Sequence, residues 1–142
     1  MPLIPVPGSD EIGEPEVVPE GEYSVTIVSV EEREERINQW LIRLSIDTDV
    51  VANPAQIRHY ITLPNDGTPQ EKINPMVLFA KRFCALFNIP WDGGFDPELI
   101  TPGQTAQCAV TQSEYEGRVS NSLDLPPIPQ GHDFKARARR RR

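Results

Sequence analysis

The residues best placed to do chemistry are two short runs in which arginines alternate with apolar side chains. In the first, Arg43 and Ser45 alternate with Ile42, Leu44 and Ile46; in the second, Arg58, Tyr60 and Thr62 alternate with Ile57, His59, Ile61 and Leu63. A period of two puts each set on one face of a β-strand. If the apolar sides face inward, two guanidinium groups and one aromatic ring share the outward face. Cations track phosphates and aromatic rings stack on bases, so this combination suits an extended nucleic-acid strand. Arg33 and Arg36 precede the first run, and Tyr115 and Arg118 bracket a short turn later in the chain.

Each residue also has a plainer reading. Surface arginines commonly pair with acids on a neighbouring strand, and the segment Glu31-Glu32-Arg33-Glu34-Glu35-Arg36 sets four acids against two bases, a poor balance for phosphate. Catalytic signals are sparse. His59 and His132 are the only histidines, and His59 falls on the apolar side of its run, where a satisfied core residue is expected. Zinc-ligand spacing, a nucleophile elbow and a phosphate loop are all missing. Asp47 and Asp49, near Asn53, lack a third convergent group and make a weak metal site. Cys84 and Cys108 sit among Phe, Ala, Leu and Val, outside any C-x-x-C pair, and read as small buried hydrophobes. The expectation is a protein without enzymatic activity, cofactor or metal.

The charge is unevenly distributed. The net value is −7, but residues 135–142 hold six of the 14 basic side chains, including Arg139, Arg140, Arg141 and Arg142. Residues 1–134 therefore carry 8 basic against 21 acidic groups, a balance of −13. An acidic body ending in a basic tail favours anionic partners at that tail, or docking onto its own or another copy's acidic segment. The N-terminus lacks a basic region followed by an apolar stretch, and no apolar run approaches the ~20 residues that span a bilayer. An intracellular location without membrane contact is expected.

A chain of 142 residues suits one domain. Residues 1–20, with five prolines and five acids, read as an extended leader with little to offer a core. Strands are expected at 22–30, 37–50 and 56–63. Asn74 then offers a helix cap and Pro75 a first helical position. Met76, Phe79, Ala80, Phe83, Leu86 and Phe87 form one apolar stripe that plugs the core, and Asn88 and Pro90 end the helix. Trp40 and Trp91 read as rim or core packing. Two further strands, 104–113 and 118–125, flank the turn Glu114-Tyr115-Glu116-Gly117. A basic, flexible tail starts near residue 130.

The order β-β-β-α-β-β predicts a mainly β domain over residues 21–129: a five-stranded OB-type barrel with one helix between strands three and four. An open meander with the helix on one face is the alternative. OB-folds bind oligonucleotides on the face of strands two and three, flanked by the loops after strands one and four. That face carries Arg43, Arg58 and Tyr60, and those loops carry Arg33, Arg36, Tyr115 and Arg118.

The start Pro19-Glu20-Gly21-Glu22-Tyr23, the hairpin Glu114-Tyr115-Glu116-Gly117-Arg118 followed by Asn121, and the end Leu125-Pro126-Pro127 resemble small phage-encoded proteins of the single-stranded-DNA-binding type. These include related phage proteins of unknown function that accompany replication and recombination genes. The resemblance spans residues 19–129 and implies an OB-fold that coats single-stranded DNA with little sequence preference, in the host cytoplasm. Many such proteins end in an acidic, partner-recruiting tail, whereas this chain ends in a basic one. A structural or assembly protein using the same barrel as a scaffold, with possible homo-oligomerisation, is the rival expectation.

Overall fold

In the computed structural model, which describes residues 3–7, 13–35 and 38–134, the first strand organises the whole sheet. Strand β1 (Gly21–Glu32) pairs on one side with β2 (Gln39–Asp47) and on the other with β4 (Thr105–Tyr115). Strand β3 (Ile57–Thr62) extends the sheet beyond β2, and β5 (Arg118–Asp124) extends it beyond β4. The order is β3-β2-β1-β4-β5 and every neighbouring pair is antiparallel. A bulge between Ile27 and Ser29 shifts the β1–β2 register. Such a bulge bends its strand, which suits a strand with two partners.

The protein is thus mainly β: among the described residues, five antiparallel strands form one sheet and one α-helix lies between the third and fourth, as the element order predicts. The edge strands β3 and β5 come within 8 Å, Cα to Cα. No hydrogen-bonded ladder joins them among the described residues, so the sheet is not closed.

Helix α1 (Gln70–Leu86) departs from expectation at its start. The Asn74-Pro75 signal falls inside the helix, because a first turn has already formed with the Lys72 N–H donating to the Pro69 carbonyl at 3.0 Å. Pro75 has no N–H for the Glu71 carbonyl, a local loss tolerated because it falls early in the helix. The C-terminus agrees with the sequence. Asn88 takes a left-handed φ of 55°, and the following Ile89 N–H returns to the Cys84 carbonyl at 2.8 Å.

Val25, Ile27, Ile42, Leu44, Ile57, Ile61 and Val110 from the sheet meet Phe83, Cys84 and Ile89 from the helical side to form the core. Both cysteines are free and buried; burial pushes Cys84 up to about 12 and Cys108 up to about 11, the latter helped by Asp124 and Glu22. Trp40 and Trp91 both contact the Phe95 ring, at 5.3 and 6.2 Å, which fits their expected packing role.

Two boundary expectations change. The segment read as a leader does contribute to the core through Val18, which is 0% exposed. The Val18 backbone is satisfied by side chains rather than by a strand. Asn121 Oδ1 accepts from the Val18 N–H at 2.8 Å, and the Val18 carbonyl accepts from Asn121 Nδ2 at 3.0 Å and Gln112 Nε2 at 2.8 Å. Glu16 exchanges backbone bonds with Asn53 and Ala55, both at 2.8 Å. At the other end, the Trp91 N–H donates to the Phe134 carbonyl at 3.1 Å, so the chain stays docked past residue 130.

Asn121 is itself buried, so removing its amide leaves the Val18 N–H without its partner, while the carbonyl keeps Gln112. Asn121→Ala is expected to lower stability by about 2 kcal/mol in urea unfolding. It should also speed hydrogen exchange at the Val18 amide selectively; an unchanged Val18 exchange rate would contradict this role.

Candidate nucleic-acid interface

The register of β2 on β3 sets the outward face two residues at a time. Gln39 lies opposite Thr62, Leu41 opposite Tyr60, and Arg43 opposite Arg58. Like charges directly opposite destabilise a sheet unless something offsets them. Here Glu31 does so for one partner: Arg43 Nε donates to its Oε1 at 3.2 Å. Arg58 is exposed and has no ion pair among the described residues.

The connection after β1 folds back over this face. The Arg33 N–H donates to the Gln39 carbonyl at 2.9 Å, and its guanidinium lies 5.3 Å from the centre of the Tyr60 ring. Its Nη2 also reaches Glu35 at 3.3 Å. A cleft of ≈ 450 Å³ results, lined by residues 31–35 together with Leu41, Arg43, Arg58 and Tyr60. Leu41 lies on the outward side, as its alternation predicts, yet it is buried beside the cleft.

Four of the site residues expected from sequence therefore converge: Arg33, Arg43, Arg58 and Tyr60. Four glutamates accompany three arginines, so the cleft is not a uniformly positive groove. Glu31 and Glu35 are engaged by Arg43 and Arg33, which leaves Arg58 as the cation most available to an incoming anion.

Tyr115 and Arg118 face each other across the end of the β4–β5 hairpin, outside this cleft. The turn between them holds Glu116 at φ 51° and Gly117 at φ 78°, the left-handed pair that a two-residue hairpin requires. Tyr115 is 78% exposed. The hairpin extends past the Gly21 end of β1, whereas Arg33 follows its opposite end. Arg36 and Arg139, Arg140, Arg141 and Arg142 lie outside the described residues.

The chain matches no protein-family model, and no curated protein matches it at a significant level. No helix among the described residues is long and apolar enough to cross a membrane. Asp47 accepts from Thr26 Oγ1 at 3.1 Å, and among the described residues no group of three His, Cys, Asp or Glu side chains is arranged to hold a metal ion.

Two features escape a reading from sequence. His59 is buried as expected, but its Nε2 has no hydrogen-bond partner among the described residues. Its ring instead stacks on both Phe79, at 5.1 Å and 24°, and Phe83, at 4.9 Å and 15°. Desolvation lowers its pKa to about 4. Phe79 is the second feature. Placed in the core by its stripe, it is exposed and lines a surface notch with Tyr60.

Proposed function

We propose that this chain is an OB-type domain that binds single-stranded DNA without catalysis, in phage replication or recombination within the host cytoplasm. The observation that carries this reading is the convergence of Arg33, Arg43, Arg58 and Tyr60 on one cleft, with Arg33 over the Tyr60 ring and Arg58 free of an ion pair among the described residues. Support for the fold comes from strand order. A five-stranded antiparallel sheet with its helix between strands three and four, and edges that approach each other, fits a partly open barrel of this class. Strands two and three supply the oligonucleotide-binding face of that class, and here they supply three of the four converging residues. The phage-type resemblance adds the choice of single-stranded DNA.

Fluorescence anisotropy with a labelled thymidine oligomer tests the reading. The full chain is expected to bind at micromolar or lower concentration. Tyr60→Ala should weaken binding about tenfold or more, the scale of one lost base stack. Arg58→Ala should weaken it as well. Binding unchanged in both variants but abolished by deleting residues 135–142 would move the contact to the tail and reject this face.

One observation favours the rival role in assembly. The β4–β5 hairpin end exposes Tyr115 and Val119 beyond the part of β4 that pairs with β1. A homo-oligomer that disappears on Tyr115→Ser and ignores DNA would support that reading instead.

A further inference from the structure

We propose that a notch between the edge strand β3 and the N-terminal half of α1 receives an unpaired DNA base, with Phe79 and Tyr60 as its aromatic walls. This rests on the single-strand-binding reading and specifies where a base goes once the phosphates are held. The notch has a volume of ≈ 360 Å³ and is lined by Tyr60, Thr62, Pro75, Met76 and Phe79. That volume lies at the small end of the range for sites that enclose organic ligands.

Phe79 carries the inference. It shares its helical stripe with Ala80, Phe83 and Phe87, all buried, yet it remains 42% exposed. Its ring is not loose, because it stacks on His59, which in turn stacks on Phe83. An aromatic ring held in place over the core and left open to solvent has the form of a stacking platform.

The occupant follows from the neighbouring cleft. Tyr60 lines both the apolar notch and the arginine-bearing cleft, so the two sites adjoin at one side chain. A ligand filling both needs a flat apolar ring joined to an anion. A nucleotide has that chemistry, whereas an apolar peptide side chain would leave Arg58 unmatched. Thr62 adds a polar contact: its Oγ1 accepts from Gln39 Nε2 at 2.9 Å, leaving its O–H to donate to a base carbonyl or ring nitrogen. A base pocket would also add to what the cleft can supply through phosphate contacts, which its four glutamates limit.

Two probes separate this inference from the reading beneath it: a thymidine oligomer and an abasic oligomer of equal length and charge. Phe79→Ala is expected to weaken the thymidine oligomer about tenfold, equivalent to about 1.4 kcal/mol, and to leave abasic binding unchanged. Arg58→Ala should weaken both. If Arg58→Ala weakens both but Phe79→Ala weakens neither, or both alike, the base site is wrong and the arginine cleft stands. If the unmodified chain binds neither oligomer, the single-strand reading fails and the base site with it. Because Phe79 also supports His59, the unmodified chain provides an independent measurement. Photocrosslinking with an iodouracil-substituted oligomer should give adducts at Tyr60, Met76 or Phe79; adducts confined to other residues would overturn the proposal.

Discussion

Phe83→Ala is expected to cost about 3–5 kcal/mol of unfolding free energy, the usual range for truncating a buried phenylalanine. Phe83 is 0% exposed and sits between the His59 ring at 4.9 Å and the Phe87 ring at 4.9 Å. It connects α1 to β3, so the cavity would open where the helix is seated on the sheet. Small domains have roughly 5–15 kcal/mol in total, so this one change should consume a large part of the stability. Phe79→Ala, one helical turn earlier and partly exposed, should cost distinctly less. Urea unfolding of both variants checks the contrast. A Phe83→Ala cost below that of Phe79→Ala would mean that the helix is not anchored as described.

Stability should also fall as pH is lowered from about 6.5 towards about 4, and His59 is the cause. In the unfolded chain the imidazole has its ordinary value of 6.5; in the fold, burial lowers it to about 4. Between those values the unfolded state binds a proton that the folded state refuses. The stability present above pH 6.5 is therefore lost progressively as pH falls, reaching about 3 kcal/mol at the lower limit. His59→Phe retains a ring against Phe79 and Phe83 and has no proton to bind. Its urea midpoint should exceed that of the unmodified protein by a margin that grows from pH 7 to pH 4.5. A constant margin across that range would contradict the assignment to His59.

Much of this arrangement is legible in the sequence, for reasons that can be traced to particular residues. Alternation at Val25 and Ile27, at Ile42 and Leu44, and at Ile57 and Ile61 places the core residues of three strands correctly, because a period of two has only one way to bury an apolar set. The same alternation puts Arg43, Arg58 and Tyr60 on one face. It does not reveal that Glu31 reaches Arg43, since that depends on the bulge after Ile27. Nor does it show that Arg33 folds over Tyr60, a contact made by a loop without periodicity.

The helix illustrates a different limit. Asn74-Pro75 has the residue types of a helix start, but the backbone begins one turn earlier at Gln70. The stripe identifies the inward face of α1 without saying how far the sheet extends beneath it. Phe79 packs on His59 of the edge strand β3 and is left partly exposed there. Val18 is missed for the opposite reason. A lone buried residue in a proline-rich, acidic segment has no pattern, and its partners Gln112 and Asn121 lie about a hundred positions away.

The cleft on the β2–β3 face, where Arg58 has no ion pair among the described residues, is proposed to hold the phosphates of single-stranded DNA. The most direct test of this claim is the salt dependence of thymidine-oligomer binding in the full chain and in Arg58→Ala. Each phosphate neutralised on a single strand contributes about 0.7 to the slope of log K against log salt concentration. Arg58→Ala should make the slope shallower by about that amount, and the difference should persist when residues 135–142 are deleted. An unchanged slope in Arg58→Ala, with the whole salt dependence lost on deleting the tail, would contradict the claim.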